Sequence, residues 1–345
     1  MDKSDKKDRQ LLDLLQSHVP LTPRPYEGLG ISLGLSEEEV LTRLQRLKEA
    51  KVLRQIGAIF ESSRLGYHST LAAFQIDPSR LDEAASRLNA HPGISHNYAR
   101  DHRYNLWFTL TLPQFKDLKV ETANLAEEVQ ARDPLYLPAL SIFKIEVRLR
   151  FSEDQEEESP DAEPILAAGE REVSPMPSEG VSTLSPQQIR AVKALQIDLP
   201  LRPRPFQELA GQAGMGEEQL LEVARDFLAR GVMRRFAATL HHRRAGFAFN
   251  YLVVWRVAEG QIQDMGRRMA SLETVSHCYQ RPTYPQWPYS LYTMLHARTR
   301  EEADAMVAAL VEVTALGDYL VLPTIKEYKK ERFQYFQEEQ DGAEI

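Results

Sequence analysis

Two short stretches carry the chemistry this sequence can offer: SHCYQR, Ser276 to Arg281, and SHNYAR, Ser95 to Arg100. Each reads as a short strand. With a side-chain period of two, His277, Tyr279 and Arg281 share one face, and His96, Tyr98 and Arg100 do likewise. An acid/base, a phenol and a fixed cation on one face are poorly suited to a dry core. They suit proton transfer and the holding of carboxylates. Cys278 falls on the opposite face and reads as a small packing residue. It is the single cysteine, so no internal disulfide and no thiol-only metal cage can form.

The elements that must position these residues are themselves written twice. PLTPRPY at 20–26 returns as PLRPRPF at 200–206, and LGLSEEEVL at 33–41 as AGMGEEQLL at 213–221. VLRQIGA at 52–58 returns as VMRRFAA at 232–238, and RLGY at 64–67 as RAGF at 244–247. A repeat this long points to duplication of a domain pair, not to a solenoid. Each copy opens with leucines at helical spacing (Leu11, Leu12, Leu14 and Leu15 in the first), then a Pro-rich turn, a short helix and a longer one. Ser36 caps that longer helix, which runs to about Ala50. VLRQIGAIFE then reads as a strand pair, and the whole as a winged helix-turn-helix.

After the wing, strands are expected at 70–76, 94–100, 104–112 and 139–149, with helices at 79–90 and 114–131. The second copy repeats this at 249–257, 259–270, 274–281, 288–297, 300–313 and 318–328. The order βαββαβ is ferredoxin-like. The fold class is therefore α+β: two repeats of winged helix-turn-helix plus ferredoxin-like domain, forming a pseudo-dimer. The domain boundaries are 1–62, 63–151, 185–242 and 243–337, with an acidic, Pro-rich linker at 152–184. The acidic tail from 338 onward is expected to fray.

Bulk properties exclude several classes. The net charge of −8 argues against non-specific attraction to nucleic acid or anionic membrane. No apolar run approaches the ~20 residues that span a bilayer, and MDKSDKKDRQ lacks a signal-peptide core. A soluble cytoplasmic protein is expected. Neither GxGxxG nor a Walker A stretch is present, so no dinucleotide or nucleotide cradle is predicted. The helices that would read DNA open with Glu37, Glu38 and Glu39, and with Glu217 and Glu218. Acidic residues suit a helix start but not a surface pressed on phosphate.

The chain resembles the leucine-responsive regulator (Lrp/AsnC) family and, more narrowly, the siroheme decarboxylases, a branch of that architecture. The residues that carry the resemblance are VMRRFAATLHHRRAGF, FNYLVVW and SHCYQRPTYPQWPYSLYTMLHA. The first copy holds weaker versions: VLRQIGAIFESSRLGY, TLAAFQI and SHNYARDHRYNLWFTLTL. There Gln55 replaces an arginine, Glu61 and Ser62 replace histidines, and PTYPQWP shrinks to DHR. The resemblance covers both copies but not the linker or tail, and the fused form looks like that associated with heme d1 biosynthesis.

The resemblance implies removal of the carboxyl groups from the C12 and C18 acetates of siroheme, giving 12,18-didecarboxysiroheme on the way to heme d1 or heme. It implies no cofactor and no metal of the protein's own, the iron arriving with siroheme. In that architecture two ferredoxin-like sheets face each other. The expected partners are siroheme and the other copy within the chain, with a further homo-oligomer left open, and neither nucleic acid nor membrane. The other readings are an Lrp/AsnC-type regulator and a tetrapyrrole-binding protein without turnover.

Read against that substrate, Arg281 and Arg100 are candidates to hold carboxylates. His277 and His96 are candidate proton donors, or axial ligands of the substrate iron, with Tyr279 and Tyr98 as relay. On the next strands, Tyr289, Tyr292, His296 and Trp107 are expected to line the same open faces, as are Lys144 and Lys326 on the last strands. Trp287 sits in a Pro-flanked loop, where a ligand-facing rim and a packing role are equally open. Arg54, Arg234, Arg235 and His242 lie in or just below the wings and could reach substrate. Leu106, Phe108 and Leu110 should meet the helices.

Overall fold

Each repeat begins with three helices whose ends are written into the sequence. In the computed structural model, which describes residues 6–145, 184–241 and 249–337, the first three are α1 (Lys6–Ser17), α2 (Pro25–Leu33) and α3 (Glu37–Glu49). Leu11, Leu12 and Leu15 of α1 are buried. Pro25 opens α2, where a missing N–H costs nothing. Ser36 and Glu39 close a reciprocal capping box on α3. Then follow β1 (Leu53–Phe60), β2 (Tyr67–Gln75), α4 (Leu81–Ala90), β3 (Ile94–Arg100), β4 (Leu106–Pro113), α5 (Leu118–Glu128), β5 (Arg132–Pro138) and β6 (Ser141–Ile145).

The second copy runs α6 (Pro186–Leu195), α7 (Pro205–Gln212), α8 (Glu217–Ala229), β7 (Met233–Leu240), β8 (Phe249–Trp255), α9 (Ile262–Ser271), β9 (Val275–Gln280), β10 (Leu291–Ala297), α10 (Arg300–Thr314) and β11 (Tyr319–Lys330). His242, residues 146–151, the linker as far as 183 and the tail from 338 lie outside the described residues. Among the described residues no helix is long and apolar enough to cross a membrane.

The chain divides into two compact units, Met1–Tyr136 with Gly180–Phe247 and Ile325–Ile345, and Leu137–Glu179 with Ala248–Thr324. The first holds both winged helices. Here the sequence expectation is corrected: the stretch after α3 is one strand, not a hairpin, and β1 pairs antiparallel with β7 of the other copy. Backbone bonds extend this ribbon on both sides, from Leu199 N to Ile56 O at 2.8 Å and from Val19 N to Phe236 O at 2.7 Å. Each copy thereby satisfies strand groups of the other.

The first unit's sheet runs β5-β2-β4-β3, with residues 325–330 of β11 beside β3. The second unit's sheet runs from Tyr319–Pro323 of β11 through β8, β10 and β9 to β6. The last strand of the first copy's sheet lies before the expected 139–149, and the described part of that range, β6, belongs to the other copy's sheet. β5, whose Pro134 and Pro138 suit an edge, completes the first sheet, and β6 pairs with β9 of the second copy. Each ferredoxin-like sheet is closed by a strand from the other repeat.

Helices cover one face of each sheet. Leu106, Phe108 and Leu110 pack with Leu88 and Leu125 in the first unit, as the alternation predicts. In the second unit Trp255, Val275, Cys278, Leu291 and Leu295 pack with Met265, Met269 and Leu310. The imported strand is seated there by Phe143, which packs at Gly266 of α9, where an added Cβ would run into its ring. Gly266→Ala should therefore lower stability by about 1–3 kcal/mol through overpacking. Urea unfolding checks this; an unchanged midpoint would mean that Phe143 is not seated on α9.

Candidate active site

A β-bulge sets the geometry of both candidate sites. On β9, Val275 lies opposite Leu295 and His277 opposite Met294, so Ser276 is an extra residue without a ladder partner. On β3, Ile94 lies opposite Leu110 and His96 opposite Thr109, which makes Ser95 the extra residue. In an unbroken strand Val275 and His277 would share a face. The bulge shifts the phase: Val275 and Cys278 enter the helix-side core while His277 and Tyr279 take the opposite face.

In the second unit His277 and Tyr279 stack with ring centroids 6.0 Å apart at 20°. Tyr279 lies opposite Tyr292. The Arg281 guanidinium carbon sits 4.9 Å from the Tyr279 ring centre and 5.6 Å from that of Tyr292. Its Nη1 donates to the Leu137 carbonyl. Its buried Nε has no hydrogen-bond partner among the described residues. Burial holds its pKa below the usual arginine range, offset by the neighbouring phenols. A carboxylate placed beside it would relieve that cost.

The loop after Arg281 folds back through paired backbone bonds of 2.9 Å between Tyr284 and Trp287. Trp287 is buried; its Nε1 donates to Tyr292 Oη at 2.6 Å, and its ring meets Tyr289 edge-on at 4.9 Å. Burial raises the Tyr292 pKa well above the ordinary phenol, so the hydroxyl keeps its proton. His296, half-buried, lies opposite Asn250 further along the same face.

The first unit repeats the plan with different chemistry. His96 and Tyr98 stand 6.2 Å apart at 37°, and the Arg100 guanidinium lies 5.7 Å from the Tyr98 ring centre. Arg100 is buried and its pKa is held down to about 10 by that burial. Tyr98 lies opposite Trp107, which stands where the second unit has Tyr292. The Trp107 Nε1 donates to the Tyr104 carbonyl at 2.7 Å, and the Tyr104 hydroxyl to Asp133 at 2.5 Å. An indole thus takes the ladder position that a phenol holds in the second unit.

Two cations expected on the open faces are elsewhere. Lys144 lies opposite Cys278, on the helix side, and its Nζ donates to the Leu272 carbonyl at 2.8 Å, capping the end of α9. The cause is a second bulge, between Ile142 and Lys144, which inverts the parity on which the sequence expectation rested. Lys326 pairs with Asp82 at the start of α4, at 2.9 Å, beside Tyr328. Of the wing residues, Arg234 is tied to Glu61 through Nε at 2.7 Å. Arg54 and Arg235 are half-buried near Arg332, whose guanidinium lies 3.4 Å from the carbonyls of both Ala58 and Ala237. Burial and these two like charges hold Arg332 down to about 10.

Sequence reasoning missed Arg332, Ser95 and Ser276. For the serines the signal was present: both copies place serine directly before the histidine. The Ser276 Oγ donates to the Met294 carbonyl at 3.0 Å and lies 3.1 Å from His277 Nδ1. The Ser95 Oγ lies 3.0 Å from His96 Nδ1. Among the described residues no group of three His, Cys, Asp or Glu side chains is placed to hold a metal.

The siroheme decarboxylase of Hydrogenobacter thermophilus is 37% identical over 331 residues, covering 96% of this chain and 95% of its own. The chain belongs to the siroheme decarboxylase family. The family model "Siroheme decarboxylase NirDL-like HTH domain" matches residues 8–54 and 188–234, and "AsnC-like ligand binding domain" matches 64–144 and 244–329. The crystal structure of the siroheme decarboxylase NirDL aligns with a TM-score of 0.71 at 32% identity, over 97% of this chain and 96% of that one. NirDL in co-complex with an iron-uroporphyrin III analogue aligns equally well. The siroheme decarboxylase alpha subunit of Desulfovibrio desulfuricans is 43% identical over 150 residues, 44% of this chain and 86% of its own length.

Within this family member the thiol beside the candidate histidine is inert. Cys278 is fully buried, and burial pushes its pKa up to about 12. The thiolate is the nucleophile, so iodoacetamide at neutral pH should leave the native protein unmodified and label it after unfolding. Rapid labelling of the folded chain, read by intact mass, would place Cys278 outside the core.

Proposed function

We propose that this chain removes the carboxyl groups of the C12 and C18 acetate side chains of siroheme, giving 12,18-didecarboxysiroheme in heme d1 or heme formation. Family membership over nearly the whole chain supports the reaction class. The observation that carries the site is the half-buried Arg281 guanidinium, stacked beside Tyr279 and Tyr292, with a buried Nε still able to donate.

Each step converts a pyrrole-bound CH2–COO⁻ and one proton into CH3 and CO2. The bond between methylene and carboxylate carbon breaks, and its electron pair stays on the methylene carbon, delocalised into the ring until a proton arrives. Arg281 holds a carboxylate ionised and aligned; its low-dielectric surroundings strengthen that ion pair. His277 delivers the proton, and Tyr279, stacked on it, orients the ring or relays. The Tyr292 hydroxyl, which accepts from Trp287, can donate its own hydrogen to a second carboxylate oxygen. In the first unit Arg100, His96 and Tyr98 offer the same three groups, with Trp107 as a stacking wall instead of a phenol.

Anaerobic incubation with siroheme, followed by mass analysis for loss of two CO2, tests the reading. His277→Ala should slow turnover by about 10²–10⁴-fold, the range for a general acid. Arg281→Ala should raise KM and lower kcat together. Unchanged mass of the tetrapyrrole with wild-type protein would end the proposal.

DNA binding has no support at the helices that would perform it. The cations of α3 are paired with carboxylates of the chain itself: Arg43 and Arg46 bind buried Asp8, and Lys48 binds Asp198. Arg24 and Arg204, before α2 and α7, are likewise committed to Glu37 and Glu217. A gel shift with random-sequence duplex at low salt should show no complex, because few cations remain to release counterions. Retarded duplex would restore the regulator reading.

A further inference from the structure

The bulge serine of the second repeat bears on the tautomer of His277. Ser276 Oγ and the Met294 carbonyl oxygen lie 3.0 Å apart, a hydrogen-bond distance between two oxygens. A carbonyl has no hydrogen, so the serine supplies it. A hydroxyl has one hydrogen to give and two lone pairs to accept with. That hydrogen is committed to Met294, so the 3.1 Å contact with His277 Nδ1 must run the other way: the imidazole Nδ1–H donates and Ser276 Oγ accepts.

We infer that Ser276 is a positioning residue that fixes His277 as the Nδ1–H tautomer. In the neutral ring Nε2 then carries the lone pair. On protonation it becomes the second N–H and the proton that can be given to the methylene carbon.

The bulge makes this arrangement possible. Ser276 has no opposite residue in the ladder, and its side chain turns back to the strand carbonyl of the residue facing His277. The serine is buried, so water does not compete for that carbonyl. One hydroxyl therefore ties the histidine ring to the backbone of β10. Stacking on Tyr279 at 20° restrains the same ring from its face.

The first repeat keeps the serine and the bulge but not the lock. Ser95 Oγ meets His96 Nδ1 at 3.0 Å, and among the described residues its hydroxyl hydrogen has no other acceptor. It can give that hydrogen to Nδ1 or accept one from it, so Ser95 does not by itself fix the tautomer of His96.

This inference rests on the proposed role of His277 in decarboxylation, and the test separates the two. The full chain labelled with nitrogen-15 histidine is observed by long-range proton–nitrogen NMR at a pH where the ring is neutral. The His277 signals are assigned by their loss in His277→Gln. Wild type should show the proton on Nδ1. Ser276→Ala should lose that preference and lower kcat for siroheme by about 10-fold, the low end of effects seen when a histidine's supporting partner is removed. Its pH–rate profile should shift, as a structural effect alone would not make it do. Ser276→Thr keeps the hydroxyl on a β-branched residue that suits a strand and should restore both tautomer and rate.

A wild-type proton on Nε2 overturns the inference, as does Ser276→Ala with an unchanged tautomer. A changed tautomer with unchanged kcat removes the positioning role while leaving the decarboxylase reading to the His277→Ala result. If Ser276→Ala fails to fold, the wild-type tautomer and the Ser276→Thr rate still decide.

Discussion

The structure depends on one constraint: a strand must serve a dry core and a polar site at once. On a regular strand the two demands alternate residue by residue, and any slip exchanges them. This protein inserts one residue per copy, Ser95 and Ser276, so that Ile94 and Val275 can stay in the core while His96 and His277 face away from it. The price is an unpaired stretch of ladder, and the serine hydroxyl offsets part of it by donating to the Met294 carbonyl in the second copy.

Around that constraint the two units diverge in ways that matter for chemistry. Both keep a guanidinium against a tyrosine ring, an arrangement that tolerates burial of a cation by supplying a π face. The second adds a phenol that accepts from a buried indole, and the first substitutes the indole itself. An aromatic ring at that position is common to both; a hydroxyl there belongs only to the second. The longer Pro-rich loop after Arg281 makes this possible, because its paired backbone bonds bring Trp287 back over Tyr292.

Much of this was legible in the sequence, for physical reasons that can be named. The capping box at Ser36, the prolines opening α2 and α7 and the leucines of α1 are local signals, and local signals survive folding unchanged. The inward set Leu106, Phe108 and Leu110 and the inward Cys278 followed from alternation within unbroken stretches. Alternation failed where a bulge intervened. Lys144 was placed on the wrong face because the irregularity between Ile142 and Lys144 leaves no mark in residue type. Lys326 was misplaced because its partner, Asp82, is far away in sequence. The wing was read as a hairpin because a strand's partner is not encoded in the strand. The identity of the histidine and arginine pairs was legible, while the contact of Ser276 with the Met294 carbonyl depends on a bulge that residue type does not mark.

The reciprocal loan of edge strands has a consequence for inheritance. Since β6, encoded in the first copy, closes one edge of the second copy's sheet, and residues 325–330 close one edge of the first, neither copy supplies both borders of its own sheet. A fragment holding one copy alone would present raw backbone donors and acceptors along a sheet margin, an adhesive surface that invites wrong pairings. Substitutions at Phe143 are accordingly selected by a helix more than a hundred positions away, in a segment that began as the same ancestral text. Duplicated halves bound in this way drift as one locus, and a break between them survives only where both products are made together.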